Sequence, residues 1–124
     1  MMQVLERHNL RGGYIPELDI LQDIHLNLNE GEVVGVIGLN GSGKSTLGKA
    51  IMNMIPRREG EIKYCGYPIM HLDTHQLAQQ WIAIMQQGGQ VFGTMSVWEN
   101  LQLAFGDKKN DEYVTVLKEI LPLL

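Results

Sequence analysis

One cysteine, Cys65, is all the thiol this sequence holds. A lone cysteine forms no intrachain disulfide, which excludes a disulfide scaffold and suits a reducing compartment. No apolar run approaches the ~20 residues that a membrane-crossing helix needs. The opening, "MMQVLERHNL", carries charges where a secretion signal carries its apolar stretch, so it reads as mature sequence. A surplus of positive charge is missing too. Ten Lys and Arg stand against 14 Asp and Glu, and the cations are scattered rather than striped, so nucleic acid is not an expected partner. Internal repeats and low-complexity segments are absent. What remains is the composition of a cytosolic globular chain, 44% apolar and 19% charged over 124 residues, of one-domain length.

The pattern of apolar residues divides the chain into elements. "MQVLERHNL" and "DIHLNLNE" alternate like half-buried strands, with "RGGYIPE" as the loop between them. "EVVGVIG" is a continuous β-branched run, the pattern of a strand buried on both faces. "STLGKAIMNMI" places Leu47, Ala50, Ile51 and Met54 at helical spacing, and "PRREG" ends it. "EIKYCG" and "YPIM" read as short strands, "DTHQLAQQW" as a helix capped by Asp73, and "IAIMQQ" as another buried strand. After the loop "GGQVFGTM", "SVWENLQLAF" reads as a helix with Ser96 and Glu99 in capping-box positions. "KNDEYVTVLKEIL" carries Tyr113, Val116, Leu117, Ile120 and Leu121 on one helical face, an apolar stripe in need of a partner. Trp81 and Trp98 are expected as core anchors and Cys65 as a small buried hydrophobe.

Between the buried run and the first helix lies "GLNGSGKS", Gly38 to Ser45, which fits G-x-x-x-x-G-K-[ST]. Gly38, Gly41 and Gly43 let successive backbone N–H groups converge on an anion, and the following helix aims its dipole and free amides at the same point. Lys44 then reaches the β and γ phosphates, and the Ser45 hydroxyl coordinates Mg²⁺. The strand–loop–helix context that this pattern requires is present on both sides.

"GEVVGVIGLNGSGKSTL" resembles the Walker A region of the nucleotide-binding domains of ABC transporters. The resemblance continues through "EIKYCGYPI" and through "IAIMQQGGQVFGTMSVWENL", which is similar to the family's Q-loop region; the wording "VFGTMSVWENL" is nearest to the branched-chain amino-acid importer ATPases. It implies an α/β fold: a partial P-loop NTPase core beside an N-terminal antiparallel β region, spanning residues 1–124 as the N-terminal portion of such a domain. Carried over by position, it implies ATP and Mg²⁺ as ligands. Tyr14 would stack on adenine. Gly38, Asn40, Gly41, Ser42, Gly43, Lys44, Ser45 and Thr46 would hold the phosphates, with Ser45 on Mg²⁺. The Q-loop glutamine, which meets Mg²⁺ and the attacking water, falls on Gln86 or Gln87, and the alignment of "WIAIM" favours Gln87. The implied partners are membrane permease subunits and a second ATPase subunit, at the inner face of the cell membrane.

The family's signature motif, Walker B strand, D-loop and switch histidine have no counterpart in these residues. In P-loop enzymes positioning and electrostatics supply nearly all the catalysis, so this chain is expected to bind nucleotide weakly, if at all, without turnover. Local imitations do not fill the gap. "PIMHLD" ends an apolar run in Asp73, but Asp73 has a sufficient role as a helix cap. His71, Asp73 and His75 have metal-ligand spacing, yet sit at a polar turn where such residues are ordinarily solvated. "GGQ" at Gly88 to Gln90 imitates the tail of the signature with no helical subdomain before it. Two other readings stay open on sequence: a different small P-loop kinase or GTPase, and a non-enzymatic module that binds nucleotide or partners. The expected strand order leaves an unpaired edge beside the phosphate loop, and with it a tendency to self-associate.

Overall fold

The computed structural model describes residues 2–105 and 110–120. It divides into two compact units, Met1–Gln86 and Gln87–Leu124.

In the first unit, β1 (Gln3–Gly13), β2 (Leu21–Asn29), β3 (Arg57–Tyr64) and β4 (Tyr67–Pro68) form one antiparallel sheet in the order β2-β1-β3-β4. Two helices, α1 (Lys44–Ile51) and α2 (Thr74–Gln79), belong to the same unit. The core joins Leu5 and Leu10 of β1, Leu21 of β2 and Ile62 of β3 to Leu47 and Ala50 of α1 and Leu77 of α2. Alternation along β1 slips by one residue after Arg7: His8 and Asn9 are both exposed, and Leu10 returns to the core. The pairing registers of β1 with β2 and with β3 both shift here. Asn9 adopts φ 49°, and Gly60 on β3 adopts φ 108°. A Cβ on Gly60 would lie 2.5 Å from the Asn9 carbonyl oxygen and 2.8 Å from that of His8. The bulge therefore has room only for glycine opposite it.

Helix α1 is shorter than its apolar spacing predicts. Asn53 turns left-handed at φ 55°; its N–H donates to the Ala50 carbonyl and that of Met54 to Lys49, at 3.2 and 2.7 Å. This is the Schellman closure that Asn can support. Side chains reach the same end of the helix. Arg58 donates to the Ala50 carbonyl at 3.0 Å and to those of Met70 and Leu72 at 2.8 and 3.2 Å. Thr74 Oγ1 donates to the Met52 carbonyl at 2.8 Å. Asp73 caps α2 as expected, in a capping box with Gln76.

Two expected strands do not form. Residues 33–38 and 82–86 are neither strand nor helix. Val33 and Ile37 are 95% and 98% exposed, and Met85 is 96% exposed. A β-branched run becomes a strand only against a ladder partner, and among the described residues none lies alongside either segment. Three burial expectations are corrected with them: Trp81 is 83% exposed, Trp98 is exposed, and the Cys65 thiol is exposed on the turn between β3 and β4.

The second unit contains α3 (Val97–Phe105) and α4 (Asn110–Ile120). Its predicted capping box is present. The Ser96 N–H donates to Glu99 Oε2 at 2.7 Å, and the Glu99 N–H donates to Ser96 Oγ at 3.2 Å. Asn100 ties the preceding loop to α3, accepting from the Phe92 N–H at 2.8 Å and donating to the Phe92 and Ser96 carbonyls at 3.1 and 3.0 Å. Val116 and Leu117 are half-buried on α4, while Ile120 is exposed. Leu121, on the same predicted stripe, lies outside the described residues.

Candidate functional site

The phosphate-loop pattern folds as a turn running straight into a helix. The Ser42 N–H donates to the Leu39 carbonyl at 3.1 Å, Gly41 and Gly43 take φ 82° and 94°, and α1 begins at Lys44. Gly43 occupies the N-cap position with no side-chain cap, and the first turn of α1 contains no acidic residue. The first amides of this helix thus have neither a capping oxygen nor a carboxylate to neutralise them, the arrangement in which a helix N-terminus receives an anion. Lys44 Nζ turns back over the loop and donates to the Gly38 and Leu39 carbonyls, both at 2.6 Å. Its ammonium is anchored above the loop and has a third donor to give. Thr46 and Leu47 are buried, fixing the helix to the core, whereas Ser45 is exposed.

The loop carrying Tyr14 reaches the same place. Residues 15–18 form a turn, with the Leu18 N–H donating to the Ile15 carbonyl at 3.3 Å and Glu17 at φ 70°. Pro16 at its second position fixes the entry angle. The chain then returns so that a Cβ on Gly43 would lie 3.1 Å from Ile20 Cγ2. Its φ calls for glycine at Gly43, and this approach leaves little room for a side chain there. Tyr14 is exposed at the start of that turn. The structure therefore brings the Tyr14 loop and the stretch Gly38–Thr46 together in one unit, whereas Gln87, exposed on a turn, opens the other. The Ile20 contact escaped the sequence reading, because one isoleucine in a loop has no periodic signal.

On the opposite flank a cavity of about 460 Å³ separates Leu26 and Leu28 of β2 from Val33, Val34 and the α1 residues Leu47 and Ile51. It lies where the expected strand fails to pair. Elsewhere, His71, Asp73 and His75 do not form a metal centre: among the described residues no group of three or more His, Cys, Asp or Glu side chains could hold a metal ion. Asp73 Oδ1 is taken by the Gln76 N–H at 2.8 Å.

A family model described as ABC transporter matches residues 21–122. The chain belongs to the ABC transporter family. It is 32% identical over 112 residues to the high-affinity branched-chain amino acid transport ATP-binding protein BraG of Pseudomonas aeruginosa, covering 89% of this chain and 47% of that protein. It is 36% identical over 101 residues to the probable branched-chain amino acid transport ATP-binding protein LivF of Archaeoglobus fulgidus, covering 82% and 42%. The lipopolysaccharide export system ATP-binding protein LptB of Haemophilus influenzae is 30% identical over 109 residues, covering 88% and 45%. The chain thus spans a little under half the length of these curated relatives. Among solved structures, a bacterial Atm1-family ABC exporter with ATP bound superposes with a TM-score of 0.55 at 26% identity, over 62% of this chain and 14% of the exporter. The N-terminal antiparallel sheet and the glycine loop leading into α1 are the parts of the ABC ATPase fold that this chain displays.

Proposed function

We propose that this chain binds Mg·ATP at Gly38–Thr46 as part of an ABC transporter ATPase subunit that couples ATP hydrolysis to transport. One observation carries the reading: an uncapped, acid-free helix N-terminus preceded by two left-handed glycines, with the Lys44 ammonium already seated over the loop. In this reading Lys44 exchanges its carbonyl partners for β and γ phosphate oxygens. Asn40, Ser42 and Thr46 line the phosphates, and Ser45 Oγ faces Mg²⁺. Tyr14 stacks on the adenine, its loop being held beside Gly43 by Ile20. By the resemblance alone, Gln87 would be the Q-loop glutamine that meets Mg²⁺ and the attacking water. Bound Mg²⁺ supplies charge neutralisation between the β and γ phosphates. The parent subunit works at the inner face of the membrane against permease subunits and a second ATPase subunit.

The 124-residue chain binds without turning over. Its best-placed acid at the end of an apolar run, Asp73, is committed to capping α2, and no other carboxylate is assigned to polarise water.

Titration of the chain with a fluorescent ATP analogue in Mg²⁺, with phosphate release followed in parallel, tests both statements. Wild type is expected to bind and Lys44→Ala to lose most of that binding, with no phosphate released by either. Lys44-dependent release would overturn the expectation of no turnover, and binding indifferent to Lys44→Ala would overturn the site.

A further inference from the structure

The first unit holds a second concave surface, built from residues that the phosphate loop does not use. A cavity of about 580 Å³ opens between the β3–β4 turn and the C-terminal end of α2. Tyr64, Tyr67 and Trp81 bring three aromatic rings to it, and His71, Gln80 and Cys65 bring its polar atoms. Its size falls in the range of about 300–1,000 Å³ usual for small-molecule sites. No lysine, arginine, aspartate or glutamate is among its described lining residues.

Trp81 makes this more than a gap between elements. It sits at φ 64° just past the α2 C-cap, where glycine or asparagine is the ordinary choice and a bulky side chain is strained. The residue is 83% exposed, so it is not anchored by burial in the core. Tyr67 across the cavity is exposed as well. The backbone thus holds an unfavourable conformation and sets a large aromatic surface at the mouth of an aromatic-lined cavity.

We propose that this cavity binds a neutral, planar aromatic molecule, with Tyr67 and Trp81 as its ring partners. The lining offers no counter-ion for a phosphate, a carboxylate or an ammonium group, which disfavours charged ligands. Aromatic faces and edges attract another ring beyond simple area burial. The His71 imidazole, the Gln80 amide and the tyrosine hydroxyls supply hydrogen bonds to orient a ring heteroatom.

Cys65 makes the test direct, because it lines the cavity, is exposed and is the chain's only thiol. Alkylation of the full chain by iodoacetamide is followed by mass with and without indole as the probe. Indole is expected to slow alkylation several-fold. Trp81→Gly, which suits the left-handed backbone and preserves the fold, is expected to abolish that protection while raising the melting temperature. An unchanged alkylation rate with indole, or protection that survives in Trp81→Gly, would overturn the proposal. So would displacement of indole by excess Mg·ATP, since that would place the probe at the phosphate loop.

Discussion

Arg7 lies opposite Leu26 on β2 and Ile62 on β3, with no exposed surface. None of its three guanidinium nitrogens has a hydrogen-bond partner among the described residues. Burial brings its pKa down to about 10. Replacing a buried charge by an apolar side chain of similar length is often stabilising by about 1–4 kcal/mol, and Arg7→Met is expected to raise stability within that range in urea unfolding. The sign with pH follows. The folded pKa lies below the unfolded one, so the unfolded chain binds more protons above about pH 10. The advantage of Arg7→Met should therefore be full at neutral pH and shrink as pH rises through that value; a difference that is flat or grows would contradict it. Nothing in the alternation of β1 announced this, since an inward arginine looks like any residue at an even spacing. The place of Lys44 at the start of α1 was legible because the motif ties its glycines to the helix that follows. Cys65 and Trp81 were misread because burial was assigned from residue type, while the turn geometry at both places points the chain outward.

At the scale of elements, local signals and pairing signals behaved differently. The α2 and α3 N-termini could be read because a cap is a contract between residues three apart. The segments 33–38 and 82–86 could not, because strand formation depends on a neighbour that their own residues do not specify. The bulge in β1 gives one test. Gly60→Ala would force a Cβ into the Asn9 and His8 carbonyls at left-handed φ, and is expected to cost about 2–3 kcal/mol in urea unfolding. A cost near zero would mean that the bulge relaxes freely. The α3 capping box gives another. The backbone and side-chain hydrogen bonds from Ser96 hold the Glu99 carboxyl below the usual carboxylate range. A depressed acid contributes stability above its unfolded pKa and loses it as pH falls through the folded one. The protection factor of the Ser96 amide, taken by NMR against the intrinsic exchange rate at each pH, should therefore fall only once pH drops below the ordinary glutamate range. A protection factor that already falls within that range would argue against the box.

For the molecule as a whole, the two unformed strands matter more than any side chain. The run from Val33 to Ile37 is apolar, carries no charge and joins no strand, with Val33 and Ile37 almost fully exposed. Such a segment is a template for pairing with another chain. The isolated chain is expected to self-associate with rising concentration in sedimentation velocity. Ile37→Lys, at a site already in water, should shift the distribution toward monomer; a wild type that stays monomeric at every concentration would contradict the expectation.

The side chains at the far end of α1 have a mechanical meaning. The helix begins at the phosphate loop, and at its other end Arg58 and Thr74 fasten it to the stretch from Met70 to the start of α2. A free helix end would absorb a push by fraying. This one stands against an abutment: its last turn is held to the residues that lead into α2, and the helix cannot unwind there without breaking the Arg58 and Thr74 hydrogen bonds.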